Sequence, residues 1–204
     1  MELYDSEEQQ VEAIKDWWRE NGKAVVLGVV IGLGGLFGWR YYQDSIVTGQ
    51  EGAAAEYAET IQALNTKGLE ASDDIQAFIN AHSDREYAVL AALQLAQAQV
   101  AQADYKSALT QLEWAKANTK DEALTPVIAL RAVRVKAELG ELDAAIAELD
   151  TLKAAGWEGR IAELKGDLLL RNGDSEGAYT AYSAAQQATD ASQTIQFKLD
   201  DLAK

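Results

Sequence analysis

The sequence predicts an all-α protein, with an N-terminal transmembrane helix followed by a solenoid of antiparallel helix pairs. Three observations carry that expectation. Only one of 204 residues is proline, and proline breaks helix interiors while recurring in turn-rich β folds. An uncharged run extends from Ala24 to Trp39. Beyond residue 90, three segments repeat one spacing of small and large apolar residues.

The uncharged run sits inside "KAVVLGVVIGLGGLFGWRYY", Lys23 to Tyr42. Sixteen helical residues cover about 24 Å, short of a hydrocarbon core of about 30 Å. The flanks supply the rest: Lys23 and Arg40 can snorkel, and Trp39, Tyr41 and Tyr42 suit the headgroup level. Five of the 16 are glycine (Gly28, Gly32, Gly34, Gly35, Gly38). In water each costs a helix interior about 1 kcal/mol relative to alanine, so a soluble helix of this composition would barely form. In lipid an unpaired backbone group costs several kcal/mol, and the segment stays helical. A cleaved signal peptide would need a basic start and a small-residue cleavage site. Residues 1–22 hold seven acids instead, and "WRYYQDSIV" has no such site. Lys15, Arg19 and Lys23 precede the span and Arg40 alone follows it before Lys67, which predicts a cytoplasmic N-terminus. Gly28-x-x-x-Gly32 and Gly34-x-x-x-Gly38 are candidate helix-packing positions.

Ahead of the span, Ser6 and Gln9 read as a capping box, and Val11, Ile14, Trp17 and Trp18 recur at helical spacing before Gly22. The expectation is a short amphipathic arm on the membrane surface, residues 1–22, ended by Gly22. The span takes residues 23–42, with surrounding lipid as its partner, and residues 43–204 form the soluble part.

That part carries 14 bases and 26 acids, and the whole chain is at −15. Nucleic acid is therefore an unexpected partner, since phosphate binding needs a basic surface. No cysteine is present, which removes disulfides, thiolate zinc sites and cysteine nucleophiles.

The repeat lies in residues 91–115, 129–152 and 162–185. Ala96, Val133 and Gly166 occupy the first helix of each unit. Twelve residues on stand Ala108, Ala145 and Ala178; four further Leu112, Leu149 and Tyr182; three further Ala115, Leu152 and Ala185. Small residues at crossing points let antiparallel helices approach, and the larger residue fills the gap. "QADY", "LGELD" and "RNGD" mark turns between paired helices. Units offset by 37 and 33 residues resemble the tetratricopeptide repeat, a helix–turn–helix of about 34 residues. A pair cannot bury its apolar face alone, so neighbours stack. Residues 52–65 and 72–82 read as a leading hairpin, Thr125-Pro126 as an N-cap and first helical residue, and Ile195, Leu199 and Leu202 as one face of a closing helix.

Candidate chemistry is sparse. His82 is the single histidine, without a second imidazole or a thiolate to complete a metal site. Any Ser–His–acid triad would have to use it, and no nucleophile elbow precedes a serine. The expectation is a non-enzyme without cofactor or metal. Binding remains: the first helices should line a groove that includes Leu90, Leu93, Gln97, Val100, Leu130, Arg134, Arg160, Asp167, Leu170 and Arg171, with apolar positions for partner segments and arginines for carboxylates.

The order of "VEAIKDWWRENGK", then a glycine-rich span ending in "GWRYY", then degenerate repeats with "GW" near residue 157 and "ELKGDLLLRNGD", is similar to the YfgM family, ancillary subunits of the SecYEG translocon. The resemblance implies a single-pass protein of the bacterial inner membrane with periplasmic repeats. Its implied partners are SecYEG, the periplasmic chaperone PpiD and unfolded secretory or outer-membrane clients, and its implied role is handover of translocated proteins to chaperones. Composition and spacing alone reach only a membrane-tethered protein-binding solenoid, and a scaffold for another envelope assembly or for cytochrome maturation stays open.

Overall fold

The computed structural model describes the backbone of residues 7–202 and the side chains of residues 10–43 and 52–202. The described residues contain helices and turns and no strand. The chain divides into two compact units, Met1–Gly52 and Ala53–Lys204.

Helix α1 runs Glu7–Lys67. Contrary to the expectation, Gly22 does not end an arm helix. A Cβ there would meet the Trp18 indole at 3.3 Å, so the glycine makes room for the ring, which shields the backbone at that point. The helix stops instead at Gly68, whose φ of +60° is the left-handed conformation that favours glycine. Ser6 of the expected capping box lies outside the described residues. Among them, one helix is long and apolar enough to cross a membrane, with the candidate stretch Gln10–Gln43. Ile31, Phe37 and Trp39 are each 65% exposed. Burying such a side chain contributes about 1.5–3 kcal/mol, so a row of them facing water would be an association liability.

In the second unit, the end of α1 pairs with α2 (Ser72–Ala81), joined by a 3₁₀ turn, Gly68–Ala71. Tyr57 lies 6.2 Å from Phe78 and 5.6 Å from Tyr87, ring centre to centre. Three hairpins follow: α3 (Glu86–Ala101) with α4 (Tyr105–Asn118), α5 (Leu124–Glu138) with α6 (Leu142–Thr151), and α7 (Glu158–Arg171) with α8 (Ser175–Gln187). Helix α9 (Ile195–Leu202) closes the unit.

The three hairpins share one turn. Ala103, Gly140 and Gly173 have φ of 58°, 85° and 87°. The next residue donates its N–H five back, Asp104 to Gln99, Glu141 to Lys136 and Asp174 to Leu169, at 2.9, 3.0 and 2.9 Å. This is the Schellman ending, which satisfies carbonyls that the helix leaves free. Asp104 and Asp174 then cap the second helix, their carboxylates accepting from the Ser107 and Gly177 N–H at 3.3 and 2.8 Å.

Each hairpin's apolar face is closed by the next first helix. Ile128, Ala132 and Val135 of α5 join the core of the first hairpin, and Leu130, Val133 and Ala137 of the same helix join the second. Ile161, Leu164 and Leu168 of α7 complete the second core. Ile195 and Leu199 of α9 close the third against Ala178, Tyr182 and Ala185. A helix with apolar residues on two faces has a neighbour on each side, as stacking requires.

Helix α5 begins one residue before Thr125, which corrects the expected cap. The Asp121 carboxylate accepts from the Ala123 N–H at 2.8 Å, and the Asp121 carbonyl accepts from Leu124 and Thr125. Pro126 still falls in the first turn, where a missing N–H costs nothing.

Candidate binding groove

The first helices of the three hairpins wall two adjoining cavities. One, of about 300 Å³, lies between α3, α4 and α5 and is lined by Leu93, Ala96, Gln97, Val100, Leu112, Arg131, Arg134 and Val135. The other, of about 490 Å³, is walled by Leu130, Arg131 and Arg134 of α5, Arg160, Glu163 and Asp167 of α7, Trp157, and Lys198 of α9. Arg131 and Arg134, one helical turn apart, line both.

Of the residues expected from the sequence, Leu93, Gln97 and Val100 come together in the first cavity, and Leu130, Arg160 and Asp167 in the second, with Arg134 between them. Leu93 and Leu130 are only 7% and 3% exposed, so they form the floor and serve the core at the same time. Leu90 is half-buried. Leu170 and Arg171 line neither cavity: they close the C-terminal end of α7, where Arg171 Nη1 donates to Glu138 Oε1 at 2.7 Å.

Sequence reasoning missed Arg131, Trp157, Glu163 and Lys198. Arg131 was recoverable, because it lies at i−3 from Arg134 and so shares its face. Lys198 was not, since only the packing of α9 brings it to α7. There its Nζ donates to Asp167 Oδ1 at 2.6 Å and pairs with Glu163 at 2.9 Å. Burial alone would lower the lysine pKa, but the bonds to Asp167 and Glu163 hold it above its ordinary value. The Tyr182 hydroxyl also donates to Asp167, at 2.7 Å. Its pKa is pushed up by burial and by that carboxylate. Arg160 stacks on Trp157, its guanidinium carbon 4.7 Å from the ring centre.

A cavity of about 1070 Å³ opens on the opposite face of α7, between α6 and α8. Lys165 and Asp150 close part of it through a 2.5 Å ion pair. His82 follows α2 and meets Glu56 at 2.6 Å, a contact that ties the leading hairpin together. No group of acids, histidines or thiols among the described residues has the makings of a metal site.

Stacked hairpins with a shared Schellman turn and a groove on their first helices define a helical-repeat interaction protein, here in a chain that also holds a candidate membrane span. The family model described as "Tetratricopeptide repeat-like domain" matches residues 15–204. Three relatives share the name "Ancillary SecYEG translocon subunit". The one from Escherichia coli (strain K12) is 38% identical over 99% of both chains. That from Haemophilus influenzae is 35% identical over 89% of each. That from Aggregatibacter actinomycetemcomitans is 36% identical over 96% of this chain and 97% of its own. The chain belongs to the YfgM family of tetratricopeptide-like proteins.

Proposed function

We propose that this chain is a membrane-tethered adaptor of the Sec translocon. In this reading residues 1–22 lie in the cytoplasm, residues 23–42 cross the inner membrane once, and residues 43–204 work in the periplasm. There the first-helix groove holds segments of other proteins. Its partners are the SecYEG channel, a PpiD-like chaperone and emerging secretory or outer-membrane clients, which it helps to pass from the channel to periplasmic chaperones. The observation that carries the reading is the full-length similarity to translocon subunits, which takes in span and repeats together. The excess of basic residues ahead of the span supports the orientation.

Purification in mild detergent tests the association: the channel and a PpiD-like chaperone should be recovered together. Recovery of a cytochrome-maturation or other envelope complex in their place overturns it. A reporter fused after Lys204 should be active only outside the cytoplasm. Gly28, Gly32, Gly34 and Gly38 are proposed as the packing face of the span, since a Cβ at any of them would meet nothing within 4 Å. Gly28→Leu with Gly32→Leu should weaken co-purification and leave insertion intact.

A further inference from the structure

We propose that the groove selects acidic segments: partner carboxylates seat on Arg131, Arg134 and Arg160, and an adjacent apolar side chain enters the cavity floored by Leu93. This rests on the reading of the groove as a protein-binding surface and names the chemistry of its occupant.

The first support is the pairing of charge. With 26 acids to 14 bases in residues 43–204, a base has carboxylates in easy reach. Lys116, Lys136, Lys165, Arg171 and Lys198 each hold an ion pair, whereas Lys67, Arg85, Lys106, Lys120 and Lys153 hold none among the described residues, so it is clustering rather than the lack of a partner that marks a site. Arg131, Arg134 and Arg160 are exposed and have no carboxylate within ion-pair distance among the described residues, yet all three face one cavity. Three unpaired guanidinium groups together, in so acidic a domain, leave a local field of sign opposite to that of the whole.

The second support is the fate of the acids in the same cavity. Glu163 and Asp167 are both held by Lys198, and Asp167 by the Tyr182 hydroxyl as well. One oxygen of each is held by Lys198, which leaves the two acids and the lysine at one net negative charge against three guanidinium groups. The Arg160 guanidinium carbon lies over the Trp157 ring, 4.7 Å from its centre, a cation–π contact that takes up no N–H donor. The guanidinium fork matches a carboxylate in bidentate geometry, and being fixed in advance it loses less freedom on binding than a lysine would.

The third support is what adjoins the arginines. The smaller cavity, with Leu93, Ala96, Val100 and Leu112 on its walls, is apolar and has side-chain dimensions. An extended segment advances about 3.3 Å per residue and turns alternate side chains to one surface. A chain that alternates acidic and apolar residues can therefore fill the adjoining cavities in turn. An anionic membrane surface offers no such apolar side chain, and the acidic remainder of the domain repels it.

The test uses the full chain in mild detergent, with a photocrosslinking phenylalanine analogue at Val100. Two labelled peptides of about 12 residues serve as probes, one alternating Asp and Leu, the other with Asn in place of each Asp. The Asp peptide should bind at least about tenfold tighter, as expected when charge-assisted bonds are lost from its counterpart. R131Q with R134Q should erase the difference, and R131K with R134K should recover only part of it. R131E with R134E should bind a Lys–Leu peptide in preference to the Asp peptide. Equal binding of the Asp and Asn peptides, both crosslinking at Val100, overturns the acidic selectivity and leaves the groove standing. Failure of both to crosslink overturns groove and selectivity together. Arginine-dependent binding of phosphatidylglycerol vesicles without binding of the Asp peptide overturns the proposal in favour of a lipid surface.

Discussion

The first and third hairpins solve the same crossing with different pairs of side chains. In the first, Ala96 on α3 and Leu112 on α4 line one cavity wall together. In the third, α7 has Gly166 and α8 has Tyr182, and a Cβ on the glycine would overlap the ring. Tyr182 is nevertheless 2% exposed, so the removal of one methyl group on one helix admits an aromatic ring on the other. The ring brings a hydroxyl, the hydroxyl meets Asp167, and Asp167 meets Lys198 of the closing helix. The first and third hairpins therefore keep a similar summed volume at the crossing with different residue types, and the exchange in the third gives the C-terminal cap a polar anchor that the first lacks.

The largest expected effect comes from restoring the methyl group. Gly166→Ala should destabilise the protein by about 2–3 kcal/mol through overpacking, a fall in Tm of about 4–12 °C for a chain of this size, read by circular dichroism. Adding Tyr182→Leu, which recreates the pairing of the first hairpin, should relieve the overpacking but forgo the bond to Asp167, a net recovery of about 1 kcal/mol. If the double variant is less stable than the single one, volume exchange is the wrong explanation.

Tyr182→Phe keeps the ring and removes the bond to Asp167. A loss of about 1.5 kcal/mol is expected, since the acceptor is charged; urea unfolding with an unchanged slope would assign it to stability alone.

The second hairpin has an ionic tie in place of the tyrosine. Glu148 accepts from Lys116 at 2.7 Å and from Lys136 at 2.9 Å. Burial on its own would raise its pKa, but the two ammonium groups bring it below the ordinary 4.5. Lys136 is raised, chiefly by its bond to Glu148. A lowered carboxylate stabilises the fold above pH 4.5 and loses that contribution as pH falls through its folded value. A raised lysine contributes below its ordinary 10.5 and loses it in more alkaline solution. Glu148→Gln should therefore cost about 1 kcal/mol at neutral pH, discounted for the partial exposure of Lys116. The difference from the unaltered chain should shrink steadily as pH falls below 4.5; a difference that does not shrink on acidification rules out the ionic explanation.

The smallest effect concerns the shared turn. Ala103 takes the left-handed conformation that glycine takes in the other two hairpins. Ala103→Gly should be neutral or stabilise by up to about 1 kcal/mol, and Gly140→Ala and Gly173→Ala should each cost about 1 kcal/mol. Thermal unfolding of the three variants side by side compares the turns directly.

Much of this was legible in the residues. The span declares itself through a charge-free, glycine-rich run, and the hairpins through a twelve-residue interval between small residues. Both are one-dimensional signals tied to the rise and pitch of a helix. The groove was legible in part. Helical register selects a face, and it identified Arg134, Arg160 and Gln97; it could not tell Leu93 and Leu130, which are core, from residues free to bind. Leu170 and Arg171 share the face but sit beyond the cavities, where Glu138 takes the arginine. Gly22 and Thr125 misled because each residue has more than one use. A glycine ends a helix or seats a tryptophan, and a threonine caps a helix or, as at Thr125, already lies in its first turn.

By itself the sequence determined that the chain is helical, where it is apolar enough for lipid, and how its hairpins repeat, because each of these depends on neighbours a few residues apart. Tertiary structure alone decided which charges remain unpaired. Lys198 reaches Asp167 across 31 residues and Glu148 gathers two lysines from other helices, while Arg131, Arg134 and Arg160 are left open to solvent. Ion pairing follows distances in space, which chain order does not encode.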